Sequence, residues 1–330
     1  MTNMNMYENK FHNIDLSKHS FLVTGGAGFI GSNIVEYLIK HNAKRIIVLD
    51  NLATGFEDNL KNFSSVKFIK ADICDLNAVK NACEGIDFLF HQAALGSVPR
   101  SIENPIATHN ANASGFLSVL VAAKNAGVKR IVYASSSSVY GDIQDSPKRE
   151  EKIGKPLSPY AVSKLVNEFY ADIFSRTYNM EIIGLRYFNI FGPRQNPKGA
   201  YAAAIPLFID GLLNNTPVYI NGDGEQSRDF TFVENAVQGN IKAMFCEGKN
   251  ALGKVFNIAL GDKISVNQLF NAIKKITGSS LSPTYREERK GDVKNSMADI
   301  SKANTILGYS PSINVDEGLK TTVEWFGKHF

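Results

Sequence analysis

An apolar run, FLVT at residues 21–24, passes without a break into GGAGFIGS at 25–32 and on into the helix-like pattern NIVEYLI. No other stretch limits the fold as much. Gly25, Gly28 and Gly31 stand between a strand and a helix, and each has a task there: a tight turn, close approach of a pyrophosphate to the backbone, and close packing of helix on strand, with the helix N-terminus facing the phosphates. Asp50 ends the next β-type run, RIIVLD, nineteen residues after Gly31, where a carboxylate can accept hydrogen bonds from the hydroxyls of an adenosine ribose. The same carboxylate repels a 2′-phosphate, and LDNLATG places no arginine beside it, so the pattern selects NAD over NADP. A glycine triplet alone also occurs in ordinary turns; strand, helix and acid together carry the reading.

Further β-type runs recur at 66–72 (VKFIKAD), 87–93 (DFLFHQA), 130–136 (RIVYASS) and 180–188 (MEIIGLRYF), with helix-length segments between most of them. This alternation predicts an α/β fold built on a doubly wound parallel sheet of the Rossmann type, with helices on both faces. After residue 188 the pattern breaks into shorter elements punctuated by Gly192-Pro193, Asn196-Pro197 and the loop NGDGEQSRDF at 221–230. Residues 1–188 are therefore read as the NAD-binding domain, with 1–17 as an N-terminal extension. Residues 189–330 are read as a smaller, mixed α/β domain that holds the substrate, with helices near 264–277 and 314–327 and a return of the chain to the first sheet around 231–259.

Composition narrows the partners. With 330 residues, 44% of them hydrophobic and 21% charged, a large core is available. The formal charge is only +4 and no long run of one sign occurs, so neither nucleic acid nor a membrane surface is expected, and the partner should be a small molecule. Cys74, Cys83 and Cys246 fit no disulfide framework or metal-ligand spacing, which points to a reducing compartment and no metal. The first twenty residues lack an apolar core of the signal-peptide kind and no run approaches the length of a membrane span, so the cytoplasm is the expected location.

The chemistry is concentrated in SPYAVSK at 158–164. On a helix Tyr160 and Lys164 share a face, which in this fold looks toward the crevice beyond the carboxyl ends of the strands. A phenol is a poor base at neutral pH, but a nearby ammonium and the positive charge of oxidised nicotinamide would favour the phenolate. Tyrosine then becomes a usable general base. Isolated, such a pair more often packs a helix face. The preceding strand changes the balance: it ends in YASSSSVYGD at 133–142, four serines where a core would want apolar residues and where such sheets build their sites.

Together TGGAGFIGS, SSSSVYGD and YAVSK resemble the extended short-chain dehydrogenase/reductase family over nearly the whole chain, and within it the UDP-sugar 4-epimerases. HQAALGSVPRS at 91–101, LRYFNIFGPRQNPKGAYAAAIP at 185–206 and VYINGDGEQSRDF at 218–230 resemble the subgroup that prefers N-acetylated UDP-hexosamines or their uronic acids. The resemblance implies catalytic roles for Ser136, Tyr160 and Lys164. It implies that the cofactor is held by Gly25, Gly28, Phe29, Ile30, Gly31, Asp50, Asn51, Gly55, Asp72, Ile73 and Gln92, along with Tyr160 and Lys164. It assigns the substrate to Gly96, Ser97, Ser136, Ser137, Ser138, Tyr160, Asn189, Gln195, Ala203, Tyr219, Arg228, Arg289, Asp292 and Ser296. In that scheme Arg228 and Arg289 grip the pyrophosphate, Tyr219 faces the nucleoside, and a small Ser296 at the gate admits a C2 acetamido group. Net redox change is zero, and a homodimer formed by the helices around 104–126 and after Tyr160 is expected by the same resemblance.

Other readings compete. A 4,6-dehydratase carries Thr-Asp-Glu where this strand has Ser136, Ser137 and Ser138, and a decarboxylase usually places a glutamate there. An NAD-binding regulator on the same fold commonly loses the tyrosine or the lysine, and both are kept. His91 and His109 stand alone and are read as structural. Arg100 and Lys198 are candidate neighbours of a C6 carboxylate, each more naturally a surface charge.

Overall fold

In a computed structural model that describes residues 6–198, 202–288 and 295–329, six strands form where the sequence places its β-branched and aromatic runs. They are β1 (Ser20–Thr24), β2 (Arg45–Asp50), β3 (Val66–Lys70), β4 (Phe88–His91), β5 (Arg130–Ser136) and β6 (Glu181–Tyr187). Shorter strands follow: β7 (Ile190–Phe191), β8 (Tyr219–Asn221), β9 (Ser227–Arg228), β10 (Thr231–Phe232), β11 (Val255–Ile258), β12 (Ile264–Ser265), β13 (Thr284–Arg286) and β14 (Asn295–Ser296). The helices of the first half are α1 (Phe29–Lys40), α2 (Leu76–Cys83), α3 (Val98–Glu103), α4 (Pro105–His109), α5 (Gly115–Ala126) and α6 (Pro159–Tyr178). Those of the second are α7 (Ala204–Asn214), α8 (Val233–Phe245), α9 (Val266–Thr277), α10 (Ser301–Leu307) and α11 (Val315–His329).

The main sheet has seven strands in the order β11-β6-β5-β4-β1-β2-β3, every pairing parallel. All five residues of β1 are buried because helices cover both faces, and alternate side chains feed two cores. Phe21 and Val23 join Ile34, Val132 and Val237 on one face, while Leu22 joins Leu49, Phe116 and Ile131 on the other. The fold is thus the doubly wound Rossmann arrangement that the alternation predicts. β11 is its edge strand: the chain leaves the sheet after β6, makes α7 and α8, and pairs β11 with β6 from Val255 opposite Gly184 onward. Strand order reverses beside β1, and the crevice opens there.

Among the described residues, β7 with β10, β8 with β13, and β12-β9-β14 form three small sheets apart from the main one. β3 and β4 stop at Lys70 and His91, short of the runs that predicted them, and residues 71–72 and 92–93 become crevice wall. The helix expected around 104–126 is interrupted by a π turn at Asn110–Ser114. Residues 6–18 are docked against α1 and α8, with Tyr7 and Leu16 fully buried. No helix among the described residues is long and apolar enough to cross a membrane.

Candidate active site

Ser158 opens α6. Its side chain accepts a 3.1 Å hydrogen bond from Ala161 N, and Pro159 fills the first helical position, where no N–H is needed. This start places Tyr160 in the first turn and Lys164 one turn on, both on the wall of one cavity. β5 delivers Ser136 to the same wall, where its Oγ accepts from Ser138 N at 3.1 Å. Burial raises the Tyr160 phenol above its ordinary value, and a hydrogen bond with Ser136 works the other way. Burial also brings the Lys164 ammonium down to about 8. Its Nζ donates to Ala134 O at 2.8 Å and stands 6.0 Å from the Tyr160 ring centre. This refines the phenolate expectation: within the chain alone desolvation dominates both groups, so any easy ionisation of Tyr160 has to come with charge that the cofactor brings.

A second layer of polar contacts fixes these elements. Ser135 Oγ donates to Glu168 at 2.6 Å, and Glu168 takes a two-pronged grip from Arg186 on β6, so helix and strand ends are tied beneath the site. Asn112, turned inward by the π turn, accepts from Leu95 N at 2.8 Å and donates to Ser163 Oγ at 3.0 Å. His91 meets Thr24 Oγ1 at 2.8 Å in full burial, and burial drops its imidazole to about 3, which makes it a neutral structural group.

The cavity, about 740 Å³, runs from the glycine turn to the end of β5. Gly25, Gly28, Phe29, Ile30 and Gly31 line one end, Asp50, Asn51, Asp72 and Ile73 the side next to it, and Gln92, Gly96, Ser136, Ser137, Ser138, Tyr160 and Lys164 the other end. Asn189, Ile190 and Gln195 belong also to a second cavity of about 310 Å³, which reaches Ala203, Tyr219 and Arg228. Three residues expected at the site are not on either wall. Gly55 backs the glycine turn, where a Cβ would come within 2.8 Å of the Ala27 carbonyl carbon. Ser97 caps α3, its hydroxyl accepting from Arg100 N at 3.2 Å. Ser296 stands opposite Arg228 in the β14–β9 pairing. Arg289 and Asp292 lie outside the described residues.

Tyr187 on the cavity wall, and Arg286 and Asp229 behind wall residues, escaped sequence reasoning. Tyr187, the last residue of β6, shares hydrogen bonds with Gln92 and Asn240 at about 3 Å; an aromatic at the carboxyl end of a parallel strand was the available signal. Arg286 lays its guanidinium 3.2 Å from the centre of the Tyr219 ring, covering one face of it. Asp229, next to Arg228, accepts from Leu260 N, Gly261 N and Ala298 N at 3.0 to 3.2 Å, while Asp229 N donates to Ser296 O. It knots together the strands that carry Arg228 and Ser296.

The wall fits a dinucleotide. A Cβ on Gly31 would stand 2.2 Å from Gly25 O and one on Gly25 2.5 Å from Ala93 N, so only glycine allows the turn to close. Gly28 begins α1 without a side-chain cap, leaving the first N–H groups of a twelve-residue helix to face the cavity, as a pyrophosphate requires. Asp50, held by Ala27 N and Leu52 N at 3.0 and 2.8 Å, ends β2 at the ribose position.

Fold and wall together define a nucleotide-binding enzyme of the Rossmann class, with a tyrosine-lysine helix and a serine-bearing strand end. Comparison with known proteins gives the family. The chain belongs to the NAD dependent epimerase/dehydratase family, whose model matches residues 21–259. NAD is accordingly its cofactor. A putative UDP-glucose 4-epimerase from Methanocaldococcus jannaschii is 40% identical over 306 residues, 92% of this chain and 97% of that protein. Among solved structures, UDP-glucose 4-epimerase from Thermotoga maritima with UDP-glucose has a TM-score of 0.88 at 38% identity, covering 94% of this chain and 99% of that one. UDP-N-acetylglucosamine 4-epimerase from Methanobrevibacter ruminantium in complex with UDP-N-acetylmuramic acid has a TM-score of 0.89 at 38% identity with the same coverage.

Proposed function

We propose that the protein inverts C4 of UDP-N-acetylhexosamines, interconverting UDP-GlcNAc and UDP-GalNAc or the corresponding uronic acids. The observation that carries this reading is that two cavities have Asn189, Ile190 and Gln195 in common on their walls, with Tyr160 and Ser136 lining the first and Arg228 the second.

In this scheme Tyr160 takes the proton of the sugar O4, directly or through Ser136, and returns it to the epimeric alcohol. Lys164, in its buried position beside the ring, orients the tyrosine and steadies its charge. NAD, which Gly25, Gly28, Gly31 and Asp50 would hold, would supply a reversible hydride acceptor for C4, so the reaction would need no outside oxidant. Arg228 grips the pyrophosphate while the 4-keto sugar turns to present its other face. Ser137 and Ser138 offer hydroxyls to the hexose and leave no carboxylate at the strand end of the kind that elimination or decarboxylation would use.

Acetamido preference rests on Gly96, Asn189, Gln195 and Ala203 along the walls and on a small Ser296 next to Arg228. Arg289 and Asp292 are proposed substrate contacts on sequence grounds. UDP-glucose is the second reading, favoured by the names of two of the relatives. The enzyme is further proposed to act as a homodimer through the helices around 104–126 and α6, where Ile106 on α4 and Phe169 on α6 are 72% and 64% exposed, with Ile102 on the adjoining α3 64% exposed.

Purified protein incubated without added NAD, separately with UDP-GlcNAc, its uronic acid and UDP-glucose, tests the substrate by proton NMR of the anomeric region. Faster conversion of an acetylated sugar supports the proposal; faster conversion of UDP-glucose replaces it with the second reading, and no conversion of any, with or without NAD, defeats both.

A further inference from the structure

Residues 6–12 precede the part of the chain that matches the family model, which begins at residue 21, yet they are built into the molecule. Tyr7 is completely buried and holds a left-handed backbone conformation, φ 64°, that a bulky side chain adopts only when its surroundings impose it. Its N–H donates to Glu234 at 3.1 Å on α8, and its carbonyl meets His41 Nε2 at 3.0 Å beyond α1. Lys40 Nζ donates to Met6 O at 2.9 Å, and Phe11 stacks on Tyr37 with ring centres 5.4 Å apart. The segment is a strap across α1 and α8.

One contact of this strap reaches further. The Tyr7 hydroxyl donates to Asn33 Oδ1 at 2.6 Å, and both groups are buried. An amide whose oxygen is engaged in this way has its nitrogen fixed in the opposite direction. Asn33 Nδ2 donates to Phe29 O at 2.8 Å in its own helix and to Pro193 O at 3.2 Å. Pro193 opens a loop whose next residue, Arg194, pairs with Glu36 of the same helix, and whose following residue, Gln195, lines both cavities. The α1 helix that presents its N-terminus to the cofactor cavity thereby also holds the loop on the sugar side.

We propose that Tyr7 is a positioning residue for the substrate loop: through the orientation of Asn33 it sets where residues 193–195 stand, and so where Gln195 meets the sugar. Tyr7 touches neither cavity and acts only through Asn33. The proposal rests on the epimerase reading for its kinetic consequence and on geometry alone for its mechanical one. Without the hydroxyl the buried Asn33 oxygen loses its donor, and the amide is held only by its two Nδ2 bonds, so its orientation toward Pro193 is less firmly set.

The test compares wild type with Tyr7→Phe, and with Asn33→Ser as a second variant that breaks the link from the other side. Two readouts are taken on each, amide hydrogen exchange of residues 192–198 and steady-state kinetics on whichever UDP-sugar the wild type turns over. Retained NAD, read from the absorbance of the denatured supernatant, and an unchanged exchange pattern in β1 and β5 identify a folded variant. The expected result is faster exchange in 192–198 together with a KM raised about fivefold and a kcat within about twofold of wild type. Unchanged exchange in both folded variants overturns the coupling. Faster exchange with an unchanged KM overturns the positioning role and leaves the strap a purely structural element. A wild type inactive on every UDP-sugar sinks the epimerase reading and removes the kinetic role with it, while the exchange arm still decides the coupling.

Discussion

Arg186 grips Glu168 with two parallel hydrogen bonds of 2.9 and 2.8 Å, and both side chains are buried, at 3% and 8% exposure. The pair lies under the end of β5, and Glu168 also accepts from Ser135, the neighbour of Ser136. One ion pair therefore fixes α6, β5 and β6 to each other where Tyr160, Lys164 and Ser136 converge. Removing one partner leaves a buried charge without compensation, so Glu168→Ala should cost about 3–5 kcal/mol of stability by denaturant unfolding. Ser135→Ala should cost about 1 kcal/mol while lowering kcat more than it raises KM, because the Ser135 hydroxyl is spent on Glu168 and its loss loosens the strand end that carries Ser136.

Tyr160→Phe removes the proposed base and little else. Turnover should fall about 10²–10⁴-fold, with retained NAD and UDP affinity, measured by calorimetry, near wild type. Turnover within a few-fold of wild type would exclude Tyr160 as the group that handles the proton.

Lys164 gives a pH signature. Burial depresses its ammonium from the ordinary 10.5 to about 8, so the folded state resists its charge. Below about pH 8 the group is charged in both folded and unfolded chains and the full penalty applies. Between about 8 and 10.5 the unfolded chain binds more protons than the folded one, and stability should rise with pH, by on the order of 3 kcal/mol across the window. The rise should be absent from Lys164→Met, measured by denaturant unfolding of NAD-free protein at a series of pH values.

Asp229 should act on the substrate side alone. Burial lifts its carboxyl to about 7 even though three backbone N–H groups favour the charged form. The folded chain thus binds the proton more tightly, and stability should fall as pH rises from about 4 to 7. Asp229→Asn turns an amide toward N–H donors and should weaken the knot that holds Arg228 and Ser296. UDP affinity should drop about tenfold while NAD retention stays at the wild-type level; loss of both together would mean a general failure of folding.

Much of this was legible in the sequence where function depends on local backbone. Gly25, Gly31 and Asp50 announce themselves because turn geometry and strand end are decided within a few residues, and Tyr160 with Lys164 because helix spacing sets their common face. What stayed hidden depends on contacts between distant polar residues, which leave no periodicity. Asn112 reaches Ser163 only because a π turn shifts its helix, Arg286 covers Tyr219 across the β8–β13 pairing, and Tyr7 meets Asn33 across two elements. Ser97 adds a role that spacing alone does not display: its hydroxyl oxygen caps α3 while the O–H is left to donate.

The central claim is that the C4 hydrogen leaves the sugar and returns to the same molecule while Tyr160 manages the O4 proton. UDP-GlcNAc, or whichever UDP-sugar proves the better substrate, carrying deuterium at C4 should be incubated with purified protein in ordinary water without added NAD, and the product analysed by NMR and mass spectrometry. The account predicts an epimer that keeps the deuterium at C4. Deuterium lost to solvent, or found at C6, would contradict it.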